Sequence, residues 1–426
     1  MLVCVFLILT AYYLMKTARE GLILTGGTFG LKGDELKTYA NGGMAVLLVG
    51  LVPAYSWLAN RVRRIRLINV SYALVMASLV AFYVLGRAGV PIGLAFFIWL
   101  GLVSVFLIAQ FWSYANDIYS EEQGKRLFAI IAVGGSLGAI FGPRVADLAD
   151  TFDSMWIAAV IVLASVALFN VIEHMQKRTG DHRVSEPITG KGGFNLVIRD
   201  RYLLLIGLLV LVANLVNTTG EYILSNAVRE HAMALVPGDA ANEAVSAERR
   251  EIIKSFYSDF FTWVNLVSFV LQAFFVSRII RYIGVRRALF IFPVVAFASY
   301  GAIGAIGGLA LVRFAKIAEN STDYSLQNTV RQALFLPTSR AAKYKAKAAI
   351  DTFFVRAGDT LSAVVVGLGI HQLGFSARSF ALVNLVLIML WIAIAIGIAH
   401  RHRSISKEEE PKAAPKLRPA PAGASG

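Results

Sequence analysis

Arg313, Lys316, Asn320, Asp323, Gln327 and Arg331 follow one another at steps of three or four residues within an otherwise apolar stretch. That spacing places them on one face of a helix. Asn214, Asn217, Thr218, Glu221 and Ser225 repeat the pattern, as do Gln110, Ser113, Tyr114 and Asp117. Near the start of the chain Tyr12, Lys16 and Arg19 follow it too, with Glu20 beside them. A charge at bilayer depth costs at least about 2.5–3.5 kcal/mol. Several on one helical face therefore line water or find partners. Such a set suits reversible binding of a polar solute: ammonium and guanidinium groups take anions, carboxylates take cations or protons, and amides serve either. Arg356 and Asp359, three residues apart, read as an ion pair. Glu221 and Asp359 are candidate proton carriers, although permanently ionised and paired carboxylates fit the same positions.

The elements that position these residues follow from composition. Of 426 residues 57% are hydrophobic and 16% charged, where a soluble domain carries about a quarter charged residues. Apolar runs of roughly 20 residues recur almost to the end, and runs of that length are helical in a bilayer because the backbone must satisfy itself. The spans are predicted at 1–25, 36–59, 67–86, 91–119, 125–149, 154–176, 201–228, 252–280, 286–306, 308–336, 344–373 and 377–399. The expected fold is all-α, a polytopic membrane protein of about twelve transmembrane helices in a 6+6 arrangement of the major facilitator type. Its parts are an N-terminal six-helix bundle (1–176), a basic cytoplasmic linker (177–200), a C-terminal bundle (201–403) and a disordered tail (404–426). The four striped spans are the first, fourth, seventh and tenth, which line the central cavity in that architecture.

Charge sets the expected orientation. Arg61, Arg63, Arg64 and Arg66 follow the second span, Lys125 and Arg126 the fourth, Arg278, Arg281, Arg286 and Arg287 the eighth, and Arg340, Lys343, Lys345 and Lys347 the tenth. All follow even-numbered spans, which puts both termini in the cytoplasm of a bacterial inner membrane. The 7–8 connection, with Arg229, Arg249, Arg250 and Lys254, is the exception and is balanced by acids. The first span begins at Met1 without a basic leader, so it is read as a span and not a signal peptide, with a short leader missing upstream.

The net charge of +14 resides in these connections, which argues against nucleic acid as a partner. The single cysteine, Cys4, forms no disulfide framework. No histidine has H-E-x-x-H spacing, so no metal is assigned, and no cofactor either. Without G-x-x-x-x-G-K-[ST] there is no ATPase engine, so movement would be exchange or ion-coupled. GGTFG from Gly26 reads as a turn and GGSLG from Gly134 as close helix packing. A faint echo between GKRLFAIIAVGGSLGAI and AKAAIDTFFVRAGDTLSAV fits two repeated halves.

Three segments carry a resemblance: YLMKTAREGLILT at 13–25, FWSYANDIY at 111–119 and RQALFLPTSRAAKYKAKAAID at 331–351. They resemble the ATP/ADP translocase family of plastids and obligate intracellular bacteria, a branch of the major facilitator superfamily. The third is the most specific, with Arg331, Pro337, Lys343, Lys345, Lys347 and Asp351 in the family's positions. The resemblance implies the same fold and a nucleotide as the first substrate to try. It implies that Arg19 and Asp117 hold the family's charges in the first and fourth spans. Two departures stand out. The seventh-span acid falls on Asn217, with Glu221 one turn later, and the family's G-K-S reads Gly358-Asp359-Thr360, a reversal that an anion would feel directly.

The candidate cavity set is therefore Tyr12, Lys16, Arg19, Glu20, Asp117, Asn214, Asn217, Glu221, Arg313, Lys316, Asn320, Asp323 and Gln327. Arg331, Asp351, Arg356 and Asp359 are assigned to coupling or gating. The expected function is secondary active transport of a polar, anionic solute by a monomer. The competing readings are a non-transporting sensor or scaffold on a transporter fold, and a proton-coupled carrier of an unrelated solute. Without a G-x-S-x-G elbow or a metal set the chain is not read as an enzyme.

Overall fold

A computed structural model describes the chain apart from residues 60, 63, 120, 178–192, 241, 340–341, 343–345 and 409–426. Most of the expected linker and tail, and the side chains of Asp117, Lys125, Arg126, Arg340, Lys343 and Lys345, lie outside the described residues.

The described chain is helical throughout, with a single isolated β-bridge, Thr28 to Leu31. The predicted spans appear as α1 (Leu2–Thr25), α2 (Gly33–Ala59), α3 (Arg64–Arg87), α4 (Gly93–Ile118), α5 (Glu121–Ala146) and α6 (Asp153–Lys177). They continue as α7 (Arg201–Leu235), α8 (Glu243–Ala288), α9 (Ile291–Ala305), α10 (309–334), α11 (Lys347–His371) and α12 (Ala377–Glu408). Among the described residues eight helices are long and apolar enough to cross a membrane, and Ile130–Ala146 and Ile291–Ala305 are shorter apolar helices. The two remaining helices, α2 and α10, carry charges in their first turn or along one face. This is an all-α, multi-pass membrane protein.

Several boundaries differ from the sequence reading. The 7–8 connection is short, because α7 continues to Leu235 and α8 begins at Glu243. Arg229, Arg249, Arg250 and Lys254 are therefore helical residues and not loop charges. Arg249 is buried and donates to the carbonyls of Val236 (3.0 Å) and Gly238 (2.9 Å), which closes the turn. Within the expected linker a short helix, Gly193–Arg199, precedes Asp200. The Asp200 carboxylate caps α7, accepting from the N–H groups of Tyr202 (2.7 Å) and Leu203 (3.3 Å).

The glycines of α5 bring its backbone against that of α1. A Cβ on Gly138 would come within 2.4 Å of the Phe6 carbonyl, and one on Gly142 within 2.6 Å of that of Thr10. The two backbones meet directly, as small residues allow in a membrane. The expected packing role of GGSLG is thus what the structure shows, with Gly134 seated on the Leu2 carbonyl. Gly138→Val should destabilise the fold by at least ~1–3 kcal/mol, because neither backbone can yield. A thermal melt of the variant in detergent checks this, and an unchanged midpoint would contradict it.

Buried apolar residues form two clusters. One draws on α1 and α3 to α6, around Tyr72, Phe96, Phe111 and Phe169. The other draws on α7 to α12, around Tyr257, Phe292 and Trp391, and takes in Leu36, Ala40 and Met44 of α2. The α2 helix thus lies on the seam: Gly42 meets Ala363, and the Tyr39 ring meets Gly367 of α11.

Wide turns with i→i+5 geometry interrupt the helices, among them Leu271–Val276, Asp323–Gln327 and Ile350–Phe354. The latter two contribute Asp323, Tyr324, Gln327 and Asp351 to the cavity described below.

Candidate functional site

An ion chain runs through the middle of the bundle with alternating sign. Arg19 donates through Nε and Nη2 to Glu20 Oε1, both at 3.2 Å, while its guanidinium stacks 4.3 Å from the Phe97 ring centre. The other oxygen of Glu20 takes Lys37 Nζ at 2.8 Å. Lys37 reaches across the seam to Ser225 Oγ (2.9 Å) and Glu221 (3.9 Å). Glu221 accepts from Asn320 (3.0 Å) and faces Lys316 at 3.6 Å. Lys316, fully buried, pairs with Glu319 at 2.9 Å and donates to Asn217 Oδ1 at 2.9 Å. Tyr300 closes the series by donating to Glu319 Oε2 at 2.8 Å. Lys16 sits nearby over the Phe261 ring, 4.3 Å from its centre.

Burial explains the alternation. Glu20, Lys37, Lys316 and Glu319 are each at most 5% exposed. A buried charge is tolerated only when paired and hydrogen-bonded.

Two cavities lie beside this chain, toward the end of the bundle that carries the even-to-odd connections. One, about 510 Å³, is lined by α7, α10 and α11, with Asn214, Asn217, Asp323, Gln327, Arg331 and Asp351 on its wall. The other, about 360 Å³, is lined by Tyr12, Tyr13, Phe111, Trp112, Phe269 and Gln272 from α1, α4 and α8, with residues of α5. Tyr324 borders both. One chamber is thus amide-rich and charged, the other aromatic. Gln327 is 4% exposed, and its carbonyl oxygen has no hydrogen-bond partner among the described residues.

The opposite end is closed by polar ties between α1–α6 and α7–α12. Asp34 pairs with Arg229 (2.8 Å) and accepts from Asn226 (2.9 Å). Glu35 approaches His371 at 3.5 Å. Glu251 accepts from the N–H (2.9 Å) and hydroxyl (2.7 Å) of Thr151, and Lys254 donates to the Ala149 carbonyl. Ser258 donates to Asp147 at 2.6 Å, and Arg144 pairs with Asp259 at 2.7 Å.

The residues singled out in the sequence thus fall into groups. Arg19, Glu20, Asn217, Glu221, Lys316 and Asn320 come together in the ion chain, with Lys16 beside them. Tyr12, Asn214, Asp323, Gln327, Arg331 and Asp351 border the cavities. Arg331 and Asp351 lie 3.8 Å apart. Asp359 is held by Arg356 (3.1 Å), Asn214 (2.7 Å) and Thr218 (2.9 Å), which ties α11 to α7. Arg313 stands apart from the cavities, at the closed end, 3.7 Å from Asp259. The α4 stripe turns away from the centre: Gln110 donates to Ser71 of α3 (2.8 Å) and Tyr114 to Glu173 of α6 (3.1 Å). The aromatic residues Phe111 and Trp112 take that wall instead.

Lys37, Asp34 and Glu35 escaped the sequence reading. They lie in the first turns of α2, where charges normally signal a solvated helix end. Tyr300 and Trp112 had no polar spacing to mark them.

No protein-family model matches the chain. It is 24% identical over 62% of its length to ADP,ATP carrier protein 1 of Chlamydia trachomatis, and 25% to that of Chlamydia muridarum. The chain spans about half the length of these curated relatives, 55% in each case. Among solved structures it resembles the nucleoside transporter NupG, with a TM-score of 0.61 over 95% of this chain and 99% of that one, at 13% identity. It also resembles the peptide transporter POT in complex with sulfate, with a TM-score of 0.65 over 94% and 95%, at 16% identity. The chain therefore has the all-α fold of major facilitator transporters and is related in sequence, distantly but consistently, to the chlamydial ADP,ATP carrier proteins.

Proposed function

We propose that the chain is a secondary transporter and not an enzyme, moving a polar, anionic solute across the bacterial inner membrane by alternating access. The observation that carries this reading is the pair of cavities meeting at Tyr324, beside an ion chain contributed by both six-helix halves. Halves 1–176 and 201–403 would rock about that centre, as repeated halves do in this architecture. With both termini cytoplasmic by the basic connections, the closed end faces outward and the cavities open inward. The protein works as a monomer in this reading, with the described walls of both cavities supplied by one chain.

A nucleotide is the first substrate to test. An aromatic chamber suits a base, and Arg331 with the amides of Asn217 and Gln327 suits a charged, hydrogen-bonding group. The relatives are named as ADP,ATP carriers, and one structural neighbour as a nucleoside transporter. The cavity charge is mixed, because Asp323 and Asp351 share the wall with Arg331.

The test is counterflow of labelled ATP and ADP into liposomes holding the purified chain, with a nucleoside and a dipeptide in parallel. Counterflow of ATP or ADP supports the nucleotide reading. Counterflow of another solute alone keeps the transporter and removes the nucleotide. No counterflow of any solute by folded protein removes both. In a working assay Asn217→Ala combined with Gln327→Ala should raise KM roughly ten-fold or more, at about 0.5–1.5 kcal/mol per lost hydrogen bond. An unchanged KM would place the solute elsewhere.

A further inference from the structure

A third cavity, about 710 Å³, lies away from the solute chambers, at the end of the bundle with the basic connections. It sits between the turn from α8 to α9 and the last turns of α12. Arg286, Arg287, His400, His402 and Arg403 line it, with no carboxylate among its lining residues. The turn begins at Gly284, which breaks the helical run of α8 with a φ of +77°, in the left-handed region that side chains rarely adopt. That reversal brings two consecutive arginines of one element against the last turns of another.

The contrast with the central ion chain is informative. There every cation has a carboxylate within reach. Here three exposed arginines line one cavity, and none forms an ion pair with a carboxylate among the described residues. Like charges around one cavity repel, so the arrangement favours an anion within it. Apolar surface adjoins it: Ile283 on the cavity wall, and exposed Phe275 and Ile396 deeper on the same two helices. A soluble anion has no use for that surface, whereas a lipid has a charged head above apolar chains.

We propose that this cavity binds the headgroup phosphate of an anionic phospholipid, with its acyl chains along α8 and α12. Basic pockets between transmembrane helices at the cytoplasmic surface recognise such headgroups. The proposal stands independently of the transported solute.

The test uses the purified chain in a neutral detergent, titrated with phosphatidylglycerol, phosphatidylcholine or inorganic phosphate while the unfolding midpoint is followed. Phosphatidylglycerol should raise the midpoint and phosphatidylcholine should not. R286Q/R403Q should weaken the apparent affinity for phosphatidylglycerol roughly thirty-fold. K32Q/R378Q, which removes two charges from the opposite end, should leave it unchanged. If R286Q/R403Q does not fold, the charge-keeping R286K/R403K and a salt titration of the unaltered chain take its place. Affinity must then survive the lysines and weaken from low to high salt. Equal protection by phosphatidylcholine, or an undiminished effect in R286Q/R403Q, overturns the proposal. Equal protection by inorganic phosphate also overturns it, by showing a soluble-anion site.

Discussion

Replacing Lys316 with methionine should destabilise the folded chain by ~3–5 kcal/mol, the cost of leaving buried countercharges without their cation. Lys316 has no solvent exposure, and Glu319 is 1% exposed. Their pairing at 2.9 Å is the most deeply buried link of the central chain. Loss of the ammonium also removes the donor to Asn217 and the countercharge facing Glu221. Glu319→Gln should lessen the damage when combined with Lys316→Met, because the neutral amide no longer needs a cation. A cycle of the two single variants and the double, read from unfolding midpoints in detergent, should give a coupling of ~0.5–3 kcal/mol. Additive effects, or a Lys316→Met melt equal to that of the unaltered chain, would mean the pair stabilises nothing.

The second large effect concerns the closed end. Asp34→Asn with Lys37→Met removes an ion pair to Arg229 and a bridge to Ser225 and Glu221, both between α2 and α7, and takes from Glu20 the nearer of its two cations. Hydrogen bonds to charged groups contribute about 1.5–3 kcal/mol each. The equilibrium between open and closed forms of that end should therefore shift by at least ten-fold toward open. Spin labels on cysteines replacing the exposed Phe29 and Glu243, in a Cys4→Ser background, report the separation directly. The variant should gain a longer distance component that the parent lacks. An unaltered distribution would assign closure to the α5–α8 ties, such as Ser258 to Asp147 and Arg144 to Asp259, and not to α2.

Helix number and position were legible because bilayer thickness and backbone satisfaction leave a long apolar run no other fold. The polar stripes of α1, α7 and α10 were legible for the same reason, since a charge in hydrocarbon has to face inward. Periodicity does not say which neighbour a face meets. The α4 stripe has the same spacing, yet Gln110 and Tyr114 point to α3 and α6. Nor does it register the wide turn at Asp323–Gln327, beyond which α10 serves a cavity and not the ion chain. Arg313 begins the same stripe and ends at the rim, because a stripe that crosses the whole bilayer passes through several environments.

The sequence alone determined an all-α membrane protein, its helical spans and the faces that had to avoid lipid. These are local consequences of hydropathy and of residue spacing along one helix. Only the tertiary structure decided which charges pair between helices, that Lys37 joins α2 to α7, that the aromatic and amide chambers meet at Tyr324, and that one end is tied shut. Those outcomes depend on how separate helices approach one another, and the small-residue contacts and wide turns that set the approach act between elements distant in the chain.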